Sequence, residues 1–120
     1  MGIANFFEKT VQFFQISGFR VSNYIHTHPD RSKEVTALVN NLRRREEYSS
    51  FFSRQSESAP LSCMETYLKD QARGQSISCD QAMDELLRNG FDEKRLFDAI
   101  KKTEDFARDF PAHFMRLNQA

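Results

Sequence analysis

The sequence predicts an all-α protein, a compact bundle of five to seven short helices forming a single helical domain over residues 1–120. Apolar residues recur at spacings of three and four along most of the chain. Capping residues, glycines and prolines divide those stripes into short lengths. No run alternates apolar and polar residues for long enough to make a strand, and no hairpin-turn dipeptide joins two β-branched runs.

Residues 3–16 place Ile3, Phe6, Phe7, Val11 and Phe14 on one helical face, with Phe13 beside them and Asn5 and Glu8 available as a reciprocal cap. Gly18 interrupts the pattern. It resumes through Phe19, Val21, Tyr24 and Ile25 and stops at His28-Pro29, because a residue before proline avoids the helical region. Asp30 is the expected cap for a helix in which Val35, Leu38, Val39 and Leu42 form the stripe, with Arg31, Lys33, Glu34 and Arg43 off it. Tyr48, Phe51 and Phe52 then predict a continuation or a short new helix ending near Arg54, and the polar run Ser53 to Pro60 reads as an exposed loop.

Two capping boxes follow. Ser62 with Glu65 is expected to start a helix carrying Met64, Tyr67 and Leu68, and Ser78 with Gln81 one carrying Ala82, Met83, Leu86 and Leu87. Gly74 and Gly90 stand where left-handed caps are expected, and Phe91 suits the apolar contact that accompanies such a cap. Asp92 starts a helix expected over 93–109, with Leu96, Phe97, Ile100, Ala107 and Phe110 on one side. Pro111 breaks it before a last turn with Phe114, Met115 and Leu117.

At 120 residues, folding removes roughly two-thirds of the unfolded chain's surface from water, enough for one core. With 39% hydrophobic and 28% charged residues, the composition is neither that of a membrane span nor that of a disordered chain. Lys plus Arg equals Asp plus Glu, 17 against 17, so no net field draws the protein to nucleic acid or an anionic membrane. The aromatic content is twelve Phe, three Tyr and no Trp, large apolar rings that must be buried in a core or against a partner.

Cys63 and Cys79 are too few for a disulfide framework and lack a Cys-X-X-Cys pair, which points to a reducing, cytoplasmic setting. Together with His26, His28 and His113 they are the candidate metal ligands. Histidines two apart on a helix point about 200 degrees apart, so the expectation is neither metal nor cofactor. Both cysteines fall in the first turn of an expected helix, where the dipole favours a thiolate, so a small cysteine-dependent enzyme is the alternative to a binding protein. The four glycines form no phosphate loop and no nucleophile elbow.

Arg43, Arg44 and Arg45 form the densest charge cluster, opposed by Glu46 and Glu47. The cluster reads as a solvated surface, or as a dock for an acidic partner. The face containing Phe6, Phe7 and Phe14 reads as core or as a partner-binding surface. Membrane contact through residues 3–19 is the lesser expectation, since the polar side holds Glu8, Lys9, Gln12 and Gln15 and no lysine-rich face. Gly2 sits where an acylated glycine would, but Phe6 stands where that pattern takes Ser or Thr.

From Met83 to Phe114 the chain resembles a ubiquitin-associated domain in Met83, Leu86, Gly90-Phe91, Ala99-Ile100 and Thr103. The resemblance implies ubiquitin binding through the Gly90-Phe91 loop and the last helix, with departures at Asn89 and Pro111. Residues 24–106 are similar to part of a Dbl-homology exchange domain at Tyr24-Ile25, Phe51-Phe52, Tyr67-Leu68-Lys69 and Glu85-Leu86-Leu87, without that family's proline and Gln-Arg pair. Shared helix grammar explains both likenesses, and no family is assigned. The expected function is protein binding, as an adaptor, chaperone-like or regulatory module, through Phe6, Phe7, Phe14, Arg43, Arg44 and Arg45, without catalysis.

Overall fold

The computed structural model describes residues 19–103, together with Ala112 and Met115. Among them are six α-helices, no strand and one short 3-10 turn: α1 (Val21–Thr27), the turn (Pro29–Arg31), α2 (Ser32–Arg44), α3 (Ser49–Ser53), α4 (Ala59–Gln75), α5 (Cys79–Asn89) and α6 (Glu93–Thr103). The fold is an all-α compact bundle. The expected helix at 3–16 and the apolar positions Ala107, Phe110, Phe114 and Leu117 lie outside the described residues.

α4 is the axis of the bundle. Seventeen residues long, it packs against α6 and α5 along its length and against α2 on another side. Its inward positions Cys63, Met64, Leu68 and Ala72 are sealed from solvent, and they meet Leu96, Ala99 and Ile100 of α6, Ala82 and Met83 of α5 and Val35 and Leu42 of α2 in one core. Spacings of three and four place each set on one face of its helix, so the stripes read from the sequence become the contacts between helices. Every described phenylalanine is turned inward. Phe19, Phe51, Phe52 and Phe97 are buried, and Phe91 is half-buried edge-on to Tyr67 with ring centroids 5.0 Å apart.

Local signals hold at one end of the chain's helices and fail at another. Ser78 accepts the Gln81 N–H at 3.1 Å while Gln81 accepts the Ser78 N–H at 3.0 Å, the reciprocal cap expected for α5. Gly90, at φ 77°, ends α5 where a glycine was expected. Asp92 accepts the Arg95 N–H at 2.9 Å at the start of α6.

Three expectations are corrected. Ser62 does not begin a helix: α4 starts one turn earlier at Ala59, with Pro60 in the first turn, where its missing N–H costs nothing. The Ser62 N–H already donates to the Ser58 carbonyl at 3.0 Å, and Glu65 is turned elsewhere. Gly74 is not the left-handed cap. The helix passes through it and Ser76, at φ 55°, takes that conformation, so that the Ile77 N–H can return to the Ala72 carbonyl at 3.0 Å and the Ile77 side chain can pack on the core. Asp30 does not cap α2. It lies inside the 3-10 turn, and Arg31 holds the cap position without a capping bond from its side chain.

α1 is too short to be stable alone and is held by tertiary bonds. The buried carboxylate of Glu65 accepts the Val21 N–H at 2.9 Å, capping α1 from a residue 44 positions away. At the other end Tyr24 donates to Asp84 at 2.9 Å and accepts from Arg31 at 2.6 Å, while Arg31 also pairs with Asp84. His28 stacks on the Tyr24 ring, centroids 4.2 Å apart. These bonds fix α1 against α4 and α5, and so set one wall of the groove described next.

Candidate protein-docking groove

α1, α2 and the first turn of α4 do not close on one another. Between them runs a groove of about 280 Å3. Val21 and Ile25 line it from α1, Val35, Thr36, Val39, Asn40 and Arg43 from α2, and Leu61 from α4, with Glu57 and Ser58 at the rim. Ile25, Val39 and Leu61 are half-buried, packed on the core from one side and open to the groove from the other. Aliphatic side chains in that state keep part of their apolar surface in water, and covering it is worth about 25 cal/mol per Å2.

Physical size separates the possible occupants. Small-molecule sites usually measure roughly 300–1,000 Å3, so this groove stands at the lower edge of the range for a whole ligand and suits a few inserted side chains. A second cleft of about 420 Å3 lies between the C-terminal half of α4 and α6, lined by Asp70, Arg73, Gly74, Asp92, Lys94, Arg95, Asp98 and Lys102. Asp70 pairs with two of its four cations. Lys102 binds Asp70 at 2.8 Å, Arg73 approaches the same carboxylate at 3.8 Å, and Arg95 donates to the Asp70 carbonyl at 3.3 Å, so the cleft reads as an ion-paired seam between helices. Gly74 permits that seam, since a Cβ there would meet the Arg95 guanidinium at 3.3 Å.

The arginine triplet is divided by the end of α2. Arg43 lines the groove and donates to the backbone carbonyl of Glu57 at 2.8 Å. Arg44 is exposed. Arg45 turns away, pairing with both carboxylate oxygens of Glu93, one at 3.0 Å, which ties the end of α2 to the start of α6. Of the three, Arg43 is therefore at the groove and Arg45 is a strut between helices. Phe6, Phe7 and Phe14 lie outside the described residues.

The cysteines are placed unlike activated nucleophiles. Cys63 stands in the second turn of α4, fully enclosed, and burial pushes its thiol up to about 12. Cys79 is the first residue of α5, but burial raises its thiol too, an effect the nearby Lys69 only partly opposes. The dipole argument for a thiolate is thus overridden by desolvation. Among the described residues no three His, Cys, Asp or Glu side chains are grouped as metal ligands, and no helix is long and apolar enough to cross a membrane. Phe91, which the ubiquitin-associated likeness makes a contact residue, leans on Tyr67 instead, and the Tyr67 hydroxyl accepts the Asp92 N–H at 2.8 Å.

Val21, Ile25, Val35, Val39 and Leu61 do not stand out in the sequence as site residues, because each fits a core stripe. One signal was present: Leu38 and Val39 widen the α2 stripe beyond what a single neighbouring helix covers, and both are half-buried. Comparison of the chain with models of known protein families, with curated proteins and with solved structures returned no match.

Proposed function

We propose that this protein is a protein-binding helical module that takes an apolar segment of another protein in the groove between α1, α2 and α4. The supporting observation is the groove itself: aliphatic walls from three helices, held in place by buried polar bonds, with a volume suited to side-chain anchors. Adaptor, chaperone-like and regulatory roles all rest on such an anchor site. The buried, protonated thiols of Cys63 and Cys79 support binding over thiol catalysis, and their unpaired state accords with work in the reducing cytoplasm. Phe6, Phe7 and Phe14 stay in the proposal as a second apolar contact, and Arg43 and Arg44 as its charged rim.

The test is capture of partners by three forms of the chain: intact, lacking residues 1–17, and carrying Val39→Asp, with circular dichroism to show that the helices persist. Val39→Asp is expected to remove the partners that bind through the groove. Truncation is expected to remove those that need the phenylalanine face. An unchanged set of partners from a folded Val39→Asp chain would refute the groove as the binding surface.

A further inference from the structure

We draw no further inference here: the strongest candidate, the charged cleft between the C-terminal half of α4 and α6, sets four cations against three carboxylates among its described lining residues, and nothing in the structure shows what ligand that near balance would select.

Discussion

Removing the Glu65 carboxylate should unseat α1. The group has 9% side-chain exposure and accepts the Val21 N–H at 2.9 Å, an unusual cap because donor and acceptor are 44 residues apart. Glu65→Ala deletes a hydrogen bond to an ionised acceptor and leaves a buried N–H unpaired. Bonds to charged groups contribute about 1.5–3 kcal/mol, and losing a helix N-cap costs about 0.5–2 kcal/mol, so the two estimates overlap near ~2 kcal/mol. The Arg20 pair adds little, because Arg20 is 67% exposed and its nitrogen stands 3.5 Å from the carboxylate. At this chain length ~2 kcal/mol lowers the melting temperature by roughly 10 °C.

Urea and thermal unfolding followed by circular dichroism measure the loss, and amide exchange locates it. Glu65→Ala should speed exchange at Val21 and Tyr24 before the rest of the bundle opens. Arg20→Ala should leave stability within about 0.5 kcal/mol. Equal losses for the two variants, or a stable Glu65→Ala chain, would refute the remote cap.

Two further predictions follow from single positions. Ser76→Gly should stabilise the protein by about 1 kcal/mol in denaturant unfolding, since it relieves a left-handed residue at φ 55°. Cys63, with its thiol pushed up to about 12, should resist alkylation in the folded protein at pH 8; rapid labelling there would revive thiol catalysis. The same shift fixes a pH dependence. Above pH 9 the unfolded thiol loses its proton while the folded one keeps it, so stability is flat below about pH 9 and falls by up to about 1.4 kcal/mol per pH unit toward pH 12, a slope that Cys63→Ala reduces.

What the chain discloses by itself depends on how local each signal is. Ser78 with Gln81, and Gly90 before Phe91, act within one helical turn: the first pair caps α5 as its spacing says, and Gly90 ends the helix at a positive φ, though with an extended ψ of -178° in place of the left-handed cap expected there. Ser62, Gly74 and Asp30 carry equally good local credentials, but neighbouring prolines override the first and last and tertiary packing overrides Gly74. Pro60 starts α4 a turn early, the pull of Ile77 toward the core moves the left-handed position to Ser76, and the 3-10 turn at Pro29 absorbs Asp30. The helices were legible because apolar period alone sets them. The groove was not, since Val21, Val39 and Leu61 meet only after three helices pack, and a half-buried valine looks the same in sequence as a sealed one.

The most direct measurement is an amide-exchange footprint of the chain alone and in complex with a purified partner. If the groove is the binding surface, the complex gains protection in α1, along α2 from Val35 to Arg43 and in the first turn of α4, while the α5–α6 side is unchanged. Protection confined to α5, α6 and the Gly90-Phe91 loop, with the groove amides exchanging as in the isolated chain, would contradict it.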